Sequence, residues 1–261
     1  MSGPSPGWPR LRLYLASAAP SLYPPLPRTA PAPTCKICRG PVRPGFSRCY
    51  QCEQHDRLAH GLLADAVVPV SYAVRGTAFA TDLWRYKSPR APAARSRASV
   101  RALLLAFLAD HGACVWRHAA MPAPGCLAVV PTGAGRPGPH PLLGLVASGL
   151  RLPPCPLVIR PGRQGRDLDV DRFRAGPVPS GAGVLLLDDT WVSGASAQSA
   201  AATLKLAGAR HVAVVVLGRH LNPDDPAAGP LLAALVPARY DRATCAVHRP
   251  APLPSNGTNN H

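Results

Sequence analysis

The chain has 261 residues, of which 47% are hydrophobic, enough for one domain of ordinary size with a small module and tails attached. Its formal charge is +16, and all but three of its 29 basic residues are arginine; such a balance suits a polyanionic partner but is also what arginine-rich coding produces. No run approaches the ~20 apolar residues of a membrane span, and the apolar stretch at residues 11–19 is too short and is broken by Arg12. A cytoplasmic protein with no membrane partner is the expectation.

From the amino end, proline crowds residues 20–33, and again residues 250–254, with few large apolar neighbours; tails over 1–34 and 241–261 are expected to be disordered. Two C-x2-C pairs follow, Cys35/Cys38 and Cys49/Cys52, ten residues apart. Each pair can wrap one side of a tetrahedral ion, so residues 35–56 read as a zinc knuckle with a structural Zn²⁺ and no open coordination position. Metal binding would supply folding energy to a segment too short for its own core. Free or disulfide-bonded thiols of a secreted protein are the alternative.

Residues 57–240 then alternate between two periodicities. A short helix is expected at 57–66, a strand at 67–74, and a helix at 94–110, where Val100, Leu103, Leu104, Phe107 and Leu108 form a stripe that Gly112 ends. Strands follow at 127–130 and 157–159 with a helix at 140–150 between them. Strands at 184–187 and 211–217 flank a helix at 196–207 and complete a sheet. A strand–helix–strand unit of this kind is right-handed, and the alternation argues for an α/β fold with a parallel sheet flanked by helices.

Several segments carry chemistry of lower specificity. Arg85, Lys87, Arg90, Arg95, Arg97 and Arg101 stand without an acid among them, so residues 85–101 could meet pyrophosphate or nucleic acid weakly, or could form a solvated helix face. Thr132, Gly133, Ala134, Gly135 and Arg136 close a strand with a Gly-rich turn, either an anion-binding loop or a plain surface turn. Residues 163–174 mix both charges and read as a surface loop, with a flap over substrate as the alternative. Cys114, Cys126 and Cys155 read as small buried hydrophobes. Cys245 and His248 have a C-x2-H spacing that could ligate metal.

The run from Val184 to Ser196 is the most specific signal. An apolar strand buried on both faces ends in Asp188 and Asp189, and Ser193, Gly194, Ala195 and Ser196 open a helix. The carboxyl end of a parallel strand is where open α/β sheets bind ligands. Free N–H groups at a helix start favour phosphate. Diol on the acids and phosphate on the loop suit a sugar phosphate.

This run resembles the ribose-phosphate signature of the type I phosphoribosyltransferases, with Thr190 and Trp191 where that family has small aliphatic residues. A four-cysteine knuckle ahead of it, together with residues 83–87 and 129–132, resembles the ComF-type, competence-associated phosphoribosyltransferase-like proteins. The resemblance covers about residues 35–220. It departs at Arg136–His140, where the family carries Arg-Gly-Phe-Asn. It implies that Asp188 and Asp189 take the ribose hydroxyls of phosphoribosyl pyrophosphate (PRPP) or another ribose phosphate, that Thr190, Ser193, Gly194, Ala195 and Ser196 surround the 5′-phosphate, and that Thr132 to Arg136 form the pyrophosphate loop. Mg²⁺ would accompany PRPP. Two functions follow: transfer of phosphoribosyl to an acceptor with release of pyrophosphate, or a non-catalytic PRPP-binding or nucleic-acid-associated regulatory module.

Overall fold

The computed structural model describes residues 15, 21–25, 34–59, 61–89, 93–132 and 140–247. Their elements run α1 (Tyr50–Leu58), β1 (Ala66–Val74), α2 (Ala78–Arg85), α3 (Ala93–His118), β2 (Cys126–Val129), α4 (Pro141–Leu150), β3 (Leu157–Ile159), β4 (Phe173–Ala175), β5 (Gly183–Trp191), α5 (Ala195–Leu206), β6 (His211–Leu221) and α6 (Gly229–Leu235). The expected α/β architecture is present: β1, β6, β5 and β2 form a parallel sheet in that order, flanked by helices.

Strand alternation sorts the apolar residues onto two faces. Leu185, Leu187, Val215 and Leu217 point into a core shared with α2, α3 and α4, whereas Val184, Leu186, Val214 and Val216 join α5 and the cysteine segment. Fully burying such side chains contributes about 1.5–3 kcal/mol each, which explains why the central strands read as unbroken apolar runs. Pro69 is tolerated inside β1 because β1 is an outer strand of the sheet. Gly218 on β6 brings α2 close: a Cβ there would lie 2.4 Å from a Leu83 methyl.

Several expectations need correction. The helix expected at 57–66 lies earlier, at Tyr50–Leu58, with Cys49 as its N-cap; Gly61, at φ 79°, sits in a turn beyond it. Gly112 does not end α3, which continues to His118. A helix-interior glycine costs about 1 kcal/mol against alanine, which the burial of this helix's length outweighs. α3 is long and apolar enough to cross a membrane, contrary to the composition reading, but 61% of its most apolar window is buried inside the fold, as in a core helix. β3 does not join the main sheet; it pairs antiparallel with β4, a strand the sequence reading omitted.

Neither tail is wholly without structure. Leu22 is buried in the core, and Tyr23 bridges Tyr72 at the outer edge of β1, with Ser71 Oγ donating to the Tyr23 carbonyl at 2.9 Å. Residues 241–247 pack on α3, burying Cys245 and Ala246. In the amino-terminal tail residues 1–14, 16–20 and 26–33, and in the carboxyl-terminal tail residues 248–261, which include His248, lie outside the described set.

Candidate functional site

The carboxyl ends of the parallel strands open on one cavity of about 360 Å³. Ala73 from β1, Val130 to Thr132 after β2, Asp188 to Thr190 from β5 and His220 from β6 reach it, joined by Lys87, His140 and Ser196. This is the edge at which open α/β sheets take ligands. Trp84 of α2, 77% exposed, stands at its wall.

Asp188 and Asp189 are not at a loose strand end, because β5 continues in register with β6 to Trp191. Asp189 is only 4% exposed. One of its oxygens, Oδ2, meets three donors: Tyr86 Oη at 2.6 Å, Lys87 Nζ at 2.7 Å and His140 Nε2 at 3.4 Å. His140 Nδ1 accepts from the backbone N–H of Leu142 at 3.1 Å, capping α4, so Nε2 carries the proton that points at Asp189. Burial opposes the charge of Asp189, yet His140, Lys87 and Tyr86 outweigh it and hold the carboxyl below its ordinary range. Asp188 goes the other way. Burial first, and then the neighbouring Asp189 charge, push it up to about 7 against the partial relief of Lys87 and two backbone N–H groups. Two adjacent carboxyls are thereby driven to opposite states, a separation characteristic of sites that bind or move charge.

The loop that follows is shaped by Trp191. Its indole is buried under Gly194, whose φ is 86° and where a Cβ would stand 2.1 Å from the ring. Only glycine fits there, so the bulky Trp191 is accommodated beneath the loop. Gly194 caps α5 without a side-chain acceptor, and Ser193 Oγ accepts from Ala195 N–H at 3.3 Å. Arg172 Nη1 donates to Ser196 Oγ at 3.0 Å and brings a buried guanidinium, 4% exposed, to the start of the helix. The segment read as a surface loop is therefore docked in part on α5: Asp169 N–H also donates to Ser199 Oγ at 2.9 Å.

The four cysteines come together. Their Sγ atoms all lie within 4.8 Å of one another, and Cys38 and Cys49 are 3.7 Å apart. A ZnS₄ tetrahedron with ~2.3 Å bonds has edges of ~3.8 Å, so the group could hold a structural zinc. Gly40 N–H points at Cys38 Sγ at 3.4 Å, the kind of donor that supports a metal-bound thiolate. Hydrogen bonds among the thiols, with the Arg219 charge, hold the Cys38 thiol well below its ordinary range in spite of burial. The cluster is not a separate module: Cys35, Cys38 and Cys52 belong to the core on the β5–β6 face, and Tyr72 Oη donates to the Arg39 carbonyl at 2.7 Å. Arg219, 8% exposed on β6, interacts with Cys38 and donates through Nη1 to the Trp191 carbonyl at 3.2 Å. It ties the cysteine cluster to the end of β5.

Of the residues singled out in sequence, Asp188, Asp189, Thr190, Ser196 and Thr132 line the cavity, and Ser193, Gly194 and Ala195 form the turn into α5. Gly133, Ala134, Gly135 and Arg136 lie outside the described residues. Half of the basic segment is engaged: Lys87 pairs with Asp189, Arg97 donates to the Ser88 carbonyl at 2.6 Å and Arg101 to the Leu145 carbonyl at 2.8 Å. Arg85 and Arg95 remain exposed, and Arg90 lies outside the described residues. Tyr86, His140 and Arg172 were not singled out as site residues; His140 immediately before Pro141 was legible as a helix cap, whereas Tyr86 stood only within the segment 83–87 and Arg172 only within the mixed-charge segment 163–174. No protein-family model matches the chain, and no curated protein matches it significantly.

Proposed function

We propose that the chain is a phosphoribosyltransferase-like protein of ComF type, cytoplasmic, that binds PRPP with Mg²⁺ and transfers phosphoribosyl to an acceptor, releasing pyrophosphate. The observation that carries this reading is the meeting of Asp188 and Asp189 with the start of α5 at one cavity on the carboxyl edge of a parallel sheet. The backbone N–H groups at the start of α5, with Arg172 beside Ser196, suit the 5′-phosphate. Asp188, half-buried at the cavity wall, accepts ribose hydroxyls. Lys87 supplies positive charge for the diphosphate, and Asp189 holds that lysine in place.

The carboxylates and the hydroxyls of Thr132, Thr190 and Ser196 are hard oxygen donors of the kind Mg²⁺ takes. Bound there, the cation would neutralise the leaving diphosphate. Reaction at an activated sugar needs orientation, charge neutralisation and exclusion of water more than acid–base chemistry. The indole of Trp84 offers an acceptor a flat apolar wall. Structural zinc on Cys35, Cys38, Cys49 and Cys52 completes the reading.

One observation favours a non-catalytic binding module as the second reading: Asp189 is saturated on Oδ2 by three protein donors, which makes it a scaffold for Lys87 before any ligand arrives. Calorimetry with PRPP and Mg²⁺ on the wild type and on Ser196→Ala, followed by a pyrophosphate-release assay across purine and pyrimidine acceptors, tests both. Binding weakened about tenfold in the variant, one lost hydrogen bond to a charged group, with acceptor-dependent pyrophosphate release, supports the transferase. Binding without release supports the module, and no PRPP binding refutes both.

A further inference from the structure

A second group of soft ligands lies at the other end of the helix that fills the core. His111 and Cys114 are one turn apart on α3 and so share a face. Cys245, from the segment that closes over this face, joins them: one ligand atom from each lies within 4.8 Å of the others, and Cys114 Sγ is 3.9 Å from His111 Nδ1. In a tetrahedral zinc site a sulfur–nitrogen edge measures ~3.6 Å, so a small inward adjustment closes the set.

The tautomer of His111 is fixed in the ligating form. Its Nε2 is 2.7 Å from the Arg242 carbonyl, which can only accept, so Nε2 carries the proton and Nδ1 presents its lone pair toward the sulfurs. A backbone carbonyl on the remote ring nitrogen is the usual support of a metal-bound histidine. The carbonyl is itself anchored, because Arg242 binds Asp110 through Nε at 2.9 Å and Nη2 at 2.6 Å. His111, Cys114, Asp110 and Arg242 border an open cavity of about 440 Å³, which gives solvent access to this side of the group.

We propose that Cys114, Cys245 and His111 Nδ1 bind a second zinc-type divalent ion, with a water in the fourth position, and that this ion staples residues 241–247 to α3. Each thiol releases its proton as its sulfur–metal bond forms, and the imidazole binds through the Nδ1 lone pair of its Nε2–H tautomer. Two thiolates and an imidazole select zinc over magnesium or calcium. The site is separate from the four-cysteine cluster and from the PRPP cavity, and does not depend on the function assigned to either.

The test uses the full chain and zinc alone. The reduced wild type is alkylated with iodoacetamide with and without saturating zinc, and each cysteine is followed by mass spectrometry. Zinc is expected to slow modification of Cys114 at least tenfold and to do so less in His111→Gln. The metal content of the saturated wild type is expected to exceed that of a folded C114S/C245S variant by one equivalent. Where that variant does not fold, the alkylation result on the wild type decides alone. An unchanged Cys114 rate, or equal metal content in wild type and folded variant, overturns the proposal.

Discussion

Replacing Asp188 with Asn separates what the acid does for a ligand from what it costs the fold. In the unfolded chain this carboxyl ionises near its ordinary 3.8, whereas in the fold it keeps its proton up to about 7. Between those values the native state binds the extra proton, so the group's contribution to stability declines as pH rises from about 4 to about 7 and stays low above that. The full displacement corresponds to roughly 4 kcal/mol. Asp188 is only half-buried and its ionisation is linked to that of Asp189, so about 1–2 kcal/mol is the expected net cost at pH 8. Asn keeps the shape and carries no charge. The variant should therefore be more stable than wild type by about 1–2 kcal/mol at pH 8 and by about 0.5 kcal/mol or less at pH 5, while binding PRPP with Mg²⁺ about tenfold more weakly. Asp189 does not confuse the comparison: its lowered pKa gives stability that is present above the ordinary carboxylate range and is lost only as pH falls below it. Urea unfolding at the two pH values, with calorimetry at pH 8, measures both effects. A variant less stable than wild type at pH 8, or a difference independent of pH, would refute the idea that Asp188 is a strained acid kept for its ligand.

Gly194→Ala should lose about 2–4 kcal/mol in urea unfolding, since it combines a positive φ with a Cβ driven into the Trp191 ring; a loss under about 0.5 kcal/mol would mean that the loop is not held as described. Chelation of zinc, or Cys35→Ser with Cys38→Ser, should lower the melting temperature of the whole chain by roughly 5–15 °C in one transition, because these cysteines share a core with β5 and β6. Calorimetry resolving a separate low-temperature transition for the cysteine segment would contradict this. Duplex DNA binding by the 85–101 segment should be weak, with the logarithm of affinity falling against the logarithm of salt at a slope of about −2, since Arg85 and Arg95 are the bases of the described part left exposed. A slope steeper than about −4 would show a polyanion surface elsewhere.

The architecture was legible because two-sided burial writes itself into composition. β1, residues 184–187 of β5 and residues 212–217 of β6 are apolar at nearly every position, and α5 is bounded by a glycine at each end. The same logic placed Asp188, Asp189 and the turn from Ser193 to Ser196 at a binding edge, since acids and hydroxyls directly after such a strand have few structural uses. What sequence did not reveal is what long-range packing decides. α2 is short, and its cap, Thr77, accepts from Ala80 N–H at 3.5 Å with nothing in the flanking pattern to distinguish it from a turn. β4 has three residues and exists only because β3 lies beside it. The inward turn of Lys87 depends on Asp189, a hundred residues later, so a run of bases read as an exposed block is in part the counter-charge of the site.

That dependence extends from the acids to the cysteines. The path between them is short: Cys38 meets the Arg219 guanidinium, Arg219 holds the Trp191 carbonyl, and the Trp191 indole lies against Gly194, the residue that sets the entry to α5. A buried guanidinium is costly unless paired. Four thiolates around a bound divalent zinc would carry a net negative charge, the partner Arg219 needs, whereas four neutral thiols would leave it poorly compensated. Loss of the metal would then act on the loop as well as on the cysteine segment. Arg219→Met distinguishes coupling from simple proximity. It removes the charge and keeps the length, so the loop should lose its dependence on the metal, and PRPP affinity at constant free Mg²⁺ should respond to a zinc-selective chelator in the wild type but not in the variant. Equal sensitivity to chelation in both proteins would place the two sites on one scaffold without communication through this arginine.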